Sequence, residues 1–190
     1  MGFRISRFLN VARSTEGGSF RVGGLAVVLL GAWAAQTLVA QEQSPQIERG
    51  RYLVRVGGCD DCHTPGHLRG EPDETRFLGG SDVAFYIPSL GTFVPPNLTP
   101  DKETGLGGWS REEIVTAITT GVRPDGRILA PIMPWRGLAA LTRADAYAIA
   151  EYLHSLPAIS HKVPGPFGVD AAPQIPVMKV VFPKDRGSAD

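Results

Sequence analysis

Five consecutive residues, Cys59-Asp60-Asp61-Cys62-His63, constrain this chain more than any other part of it. Two cysteines separated by two residues span roughly one helical turn, so both sulfurs lie along one edge. A histidine directly after the second cysteine sits beneath that same edge. The arrangement suits a porphyrin, because each thiol can add to one haem vinyl group while the imidazole binds iron. The sequence has only two cysteines and the motif uses both. It predicts one covalently attached haem c, tethered by Cys59 and Cys62 with His63 as an axial ligand.

Other uses of these residues fit less well. Structural zinc wants four nitrogen or sulfur ligands in a tetrahedron. Only His67, His154 and His161 stand outside the motif to complete such a site, and adjacent Cys62 and His63 fit poorly round one small ion. A thioredoxin-like dithiol belongs at a strand-to-helix junction, and no such alternation surrounds Cys59. A plain disulfide would not require His63.

The chain has 190 residues, enough for one domain with a core of its own plus an export segment. Beyond Gln41 it carries fifteen basic and eighteen acidic side chains, a net of −3, which argues against a nucleic-acid partner. Val22 to Gln41 contains no charged residue and follows Arg4, Arg7, Arg13 and Arg21. Residues 1–41 therefore read as a signal peptide or an N-terminal membrane anchor. Either places the globular part outside the cytoplasm, in the periplasm, soluble or anchored to the inner membrane. Bacterial c-type haem is attached after export, which agrees.

Residues 42–157 form the expected globular domain and 158–190 a proline-rich extension. Ile47 to Val56 reads as a first helix, ended by Gly57-Gly58. Thr64 to Gly108 is a long stretch rich in glycine and proline, in which Val83–Ile87 and Thr92–Val94 can pair as a short hairpin. Ser110 and Glu113 make an S-x-x-E capping box, and Gly121 closes the helix they open. The last helix runs from Thr142 to about Leu156, with Pro157 as its stop. The tail beyond it reads as extended.

A second axial ligand has few candidates. Methionine thioether is soft and neutral, and it raises the reduction potential relative to a second histidine. Met133 stands between prolines on a rigid loop, while Met178 lies in the tail. Met133 is the expected ligand; His67, His154 and His161 remain as rivals.

Helix, C-x-x-C-H, long loop, helix, methionine loop and last helix together resemble a class I cytochrome c. The similarity is strongest to the cytochrome c subunits and domains of bacterial membrane-associated dehydrogenases acting on alcohols, aldehydes, gluconate or N-heterocycles. It is carried by Gly50-Arg51-Tyr52-Leu53, Gly91-Thr92-Phe93, Pro96-Asn97-Leu98-Thr99-Pro100-Asp101, Thr104-Gly105, Gly108-Trp109, Gly121 to Gly126 and Met133-Pro134-Trp135. It spans roughly Ile47 to Leu156. The resemblance implies an all-α class I cytochrome c fold around the haem, with the first and last helices crossing closely at Gly50 against Ile149 and Tyr152. It leaves Asn97 and Trp109 between a haem-pocket or propionate role and a structural one. Where those dehydrogenase cytochromes often carry three haem domains, this chain has one motif. The implied function is electron transfer rather than catalysis. A dehydrogenase subunit would be the donor, and another cytochrome, quinone or terminal oxidase the acceptor. A free-standing periplasmic carrier and a haem enzyme or gas sensor are the alternatives.

Overall fold

A computed structural model describes residues 44–181. The expected export segment lies outside the described residues. Within them no helix is long and apolar enough to cross a membrane.

The first helix, α1 (Pro45–Val56), begins where Ser44 accepts a hydrogen bond from the Ile47 N–H and Pro45 occupies the first turn. It is followed by a short helix, α2 (Cys59–His63), that holds the whole cysteine–histidine motif. Gly58 enters it with φ +63°, a left-handed conformation that a side chain resists. Two 3-10 turns, His67–Arg69 and Glu74–Arg76, lead into the hairpin of β1 (Ala84–Ile87) and β2 (Gly91–Phe93).

Helix α3 (Arg111–Thr120) starts at the capping box read in the sequence, and both of its bonds are present. Glu113 N–H donates to Ser110 Oγ at 3.2 Å and Ser110 N–H to Glu113 Oε2 at 2.7 Å. That second bond holds the Glu113 carboxyl below its ordinary range. Gly121, at φ +78°, then ends the helix in the left-handed region. A short helix, α4 (Trp135–Leu138), precedes α5 (Arg143–Ser155), which Thr142 caps by accepting from the Asp145 N–H.

The core lies between α1, α3 and α5. Val54, Leu78, Ile114, Ala146, Ile149, Ala150 and Leu153 are its buried members, and Ile47, Leu98 and Trp109 pack against it. Burial of the valine, leucine and isoleucine side chains among them contributes roughly 1.5–3 kcal/mol each. Helices α1 and α5 meet at Gly50, as expected, but the α5 residues there are Ala148 and Tyr152 rather than Ile149 and Tyr152. Arg49 Nε donates to Asp145 Oδ1 over 2.8 Å across the same crossing. This pair holds the Asp145 carboxyl below its usual range.

The all-α expectation needs amending. Beside the helices stands a three-stranded sheet ordered β2-β1-β3, where β3 is Val177–Met178 from the proline-rich tail. The hairpin forms within a residue of its expected limits, with Phe85 opposite Phe93 and Ile87 opposite Gly91. Strand β3 adds to the other edge of β1 in parallel. The tail has little helical or strand period of its own. It is ordered by partners far away in sequence: Phe167 and Thr92 exchange backbone bonds, and Ala84 N–H donates to the Pro176 carbonyl.

Candidate functional site

Helix α2 puts Cys59, Cys62 and His63 on one short turn of backbone. The two sulfurs are not joined as a disulfide. Burial, and after it the neighbouring Asp60, push the Cys59 thiol up to about 11. Cys62 moves the same way, from burial and then Asp61. Dithiol oxidoreductases need the opposite environment, one that stabilises a thiolate.

His63 is only 5% exposed. Its Nδ1 lies 2.7 Å from the Pro96 carbonyl oxygen. A carbonyl can only accept, so the ring proton resides on Nδ1 and Nε2 keeps its lone pair. Burial drives the imidazole pKa down to about 4 against the partial opposition of that hydrogen bond, so the ring is neutral at physiological pH. Its Nε2 has no hydrogen-bond partner among the described residues. A neutral imidazole with Nδ1 tied to a carbonyl and Nε2 free is the state in which histidine binds a metal.

The motif is fixed from both sides. Arg55 at the end of α1 reaches Asp60 Oδ2 at 2.6 Å and lies over the Phe77 ring, 4.3 Å from its centre. Gly80 N–H donates to the His63 carbonyl at 2.8 Å.

Met133 is half-buried in a tight turn of its own. Its N–H donates to the Ala130 carbonyl at 2.9 Å, and its own carbonyl receives the Trp135 N–H at 2.8 Å. Behind it, the Trp135 ring covers Gly121 so closely that a Cβ there would sit 2.6 Å from the indole. The glycine cap of α3 thus seats the methionine loop. Trp109 is half-buried against the core, with the Arg123 guanidinium 5.2 Å from its ring centre.

Asn97 is 1% exposed, and the protein uses its amide in full. Nδ2 donates to Thr104 Oγ1 at 3.1 Å and to the Ile159 carbonyl at 2.7 Å, while Oδ1 accepts from the N–H and hydroxyl of Thr99. Of the two roles the resemblance allows it, the structural one is what these bonds fill. His161 is held in place, its Nδ1–H donating to the Gly79 carbonyl at 2.6 Å. His154 is half-buried, its Nε2 enclosed without a hydrogen-bond partner among the described residues. His67 pairs with Asp61 at 3.2 Å beside the motif.

Sequence reasoning passed over two donors. Trp135 Nε1 and Arg123 Nε are buried without a hydrogen-bond partner among the described residues, although Arg123 Nε approaches Asp125 Oδ1 at 3.4 Å. Buried donors of this kind await an acceptor, and haem carboxylates are such acceptors. Trp135 was visible only as part of a motif; nothing in the sequence marks its indole as unpaired. Two unjoined thiols on one turn, a neutral histidine with free Nε2 and two unpaired donors together fit a covalently attached haem.

No protein-family model matches the chain. Among curated proteins it is 34% identical, over 144 residues, to the cytochrome c subunit of a quinone-dependent alcohol dehydrogenase from Gluconobacter oxydans, covering 74% of this chain and 27% of that protein. It is 36% identical over 112 residues to the gluconate 2-dehydrogenase cytochrome c subunit of Pantoea cypripedii, covering 59% and 23% respectively. It is 34% identical over 143 residues to a diheme cytochrome c-type protein of Cereibacter sphaeroides, covering 70% and 47%. The chain thus spans about a quarter of the length of the dehydrogenase subunits it matches. Over the matched region it is similar to the cytochrome c subunits of bacterial dehydrogenases.

Proposed function

We propose that the chain carries one covalently bound c-type haem and transfers single electrons outside the cytoplasm, taking them from the catalytic subunit of a dehydrogenase. A downstream cytochrome, quinone or terminal oxidase receives them. The observation that carries this reading is His63: neutral, fixed through Nδ1 to Pro96, and presenting an unpartnered Nε2 one residue from Cys62. When bound, the haem supplies a one-electron iron couple.

The chain's own residues do the rest. Cys59 and Cys62 tether the group, and α2 holds the two sulfurs in register. His63 Nε2 and the Met133 thioether would be the two groups that hold the iron. Trp135 Nε1 and Arg123, whose guanidinium lies over the Trp109 ring, would be donors for haem carboxylates. Two such ligands would leave iron no open position for a substrate, which suits electron transfer over catalysis.

Met133→Ala tests the second ligand. The reduced variant is expected to bind carbon monoxide rapidly, where the parent protein does not. Its potential should fall by on the order of 100 mV as the thioether is lost. An unchanged potential and no carbon monoxide binding would transfer the role to another residue.

The partner is tested with the protein purified from native membranes together with whatever accompanies it. Adding alcohols, aldehydes or gluconate should reduce the haem within the turnover time of an attached dehydrogenase. A haem that dithionite reduces and no such substrate touches would remove the dehydrogenase from the reading and leave a free-standing carrier.

A further inference from the structure

The proximal histidine is held at two points, and both belong to a frame that the far end of the chain locks. The His63 carbonyl receives the Gly80 N–H, and His63 Nδ1–H donates to the Pro96 carbonyl. The segments carrying these partners, 78–81 and 95–98, are bonded to one another. Leu98 N–H donates to the Leu78 carbonyl at 2.9 Å, and Ser81 N–H to the Pro95 carbonyl at 3.0 Å.

Neither segment is held only by its neighbours. The tail grips both. His161 Nδ1–H donates to the Gly79 carbonyl at 2.6 Å, and Val163 packs so closely on Gly80 that a Cβ there would lie 2.5 Å from Val163 Cγ1. On the other segment, Asn97, which directly follows Pro96, donates to the Ile159 carbonyl at 2.7 Å. Ile159 N–H returns a bond to Thr99 Oγ1 at 3.1 Å, and His161 N–H donates to Thr104 Oγ1 at 3.0 Å. Asn97 and Thr99 are 1% and 0% exposed, so water does not compete for these bonds.

We propose that residues 159–163 act as a clasp that fixes the Pro96 carbonyl against His63 and so sets how strongly that imidazole donates to iron. The inference rests on His63 being a haem ligand. A firm bond from Nδ1–H to a carbonyl gives the ring more imidazolate character, which favours ferric iron and lowers the potential. A loosened clasp lets the carbonyl drift and the bond lengthen. His161 is then a positioning residue: it works through Gly79, Gly80 and Pro96.

The test uses the full haem-loaded protein. Wild type must first retain its haem through acid extraction; if it does not, the haem reading fails and this inference falls with it. In His161→Ala, the His63 Nδ1 proton is expected to exchange with solvent at least tenfold faster by NMR, and the potential to rise. His161→Asn, whose amide nitrogen can take the place of Nδ1, should restore both. A His161→Ala protein that keeps its haem and melts lower, yet has unchanged Nδ1 exchange and potential, would overturn the clasp while sparing the haem reading. Should His161→Ala fail to fold, wild-type exchange decides. The His63 Nδ1 proton and the amides of Ile159 and His161 should exchange at a common rate as one opening unit, and independent rates would refute the clasp.

Discussion

Replacing Cys59 and Cys62 together by serine is expected to yield a polypeptide from which acidic organic solvent removes all haem colour. Wild type should keep its colour under the same treatment. The difference follows from chemistry rather than shape. Serine is close in size to cysteine, so α2 and its packing against α1 persist, but a hydroxyl does not add to a vinyl group as a thiol does. Each single variant should retain one thioether and therefore its colour. The double variant should also be less stable, because the haem-bound state is then maintained only by His63, Met133 and packing. Intact mass before and after extraction reads the outcome directly. A double variant that kept haem in acid would place the covalent link elsewhere and undo the reading of α2 as the attachment site.

Gly50→Val is expected to cost about 3 kcal/mol, at the upper end of what overpacking costs, and hence to lower the melting temperature by roughly 10 °C. A Cβ at this position would lie 1.9 Å from the Ala148 carbonyl oxygen, 2.6 Å from its carbon and 2.7 Å from Tyr152 Cβ. Two of those atoms are helix backbone, which no rotamer change moves aside. The two helices must separate, thinning the contacts of Val54, Ile149 and Leu153 on either side. Alanine should be nearly as harmful, since Cβ itself is the offending atom. Urea titration of the haem-loaded protein measures the cost; less than 1 kcal/mol for either substitution would mean that the crossing yields more easily than its geometry implies.

What the sequence made legible was local. The Ser110–Glu113 box, the Gly121 terminator, the Pro157 stop and the turn carrying Cys59 and Cys62 are each encoded within a few residues, and each stands where its chemistry puts it. The hairpin was readable for the same reason, since β1 and β2 are joined by a short turn. Partners distant in sequence were not readable. The pairing of β3 with β1 has no local signature, because an extended proline-rich segment looks alike whether it is bound or free. Nothing near His161 in sequence reveals its acceptor on Gly79, which lies 82 residues earlier. Asn97 was singled out for its place in a motif, but a side-chain amide reveals nothing of its bond to the Ile159 carbonyl until the tail is folded over it. Gly50 falls between the two cases. Its need for a close approach was legible by resemblance, whereas the register of the approach, Ala148 rather than Ile149, depended on how the two helices cross.

That crossing has a consequence for how the chain can be cut. Because α1 and α5 grip each other from opposite ends of the domain, the backbone between them is a closed circuit held by its clasped ends. A protease that nicks the exposed turn at residues 88–90 breaks one strand of that circuit but leaves both fragments gripping through the helices. Losing either terminal helix opens the circuit altogether. The domain is thus expected to survive interruption at that turn and not the loss of either helix.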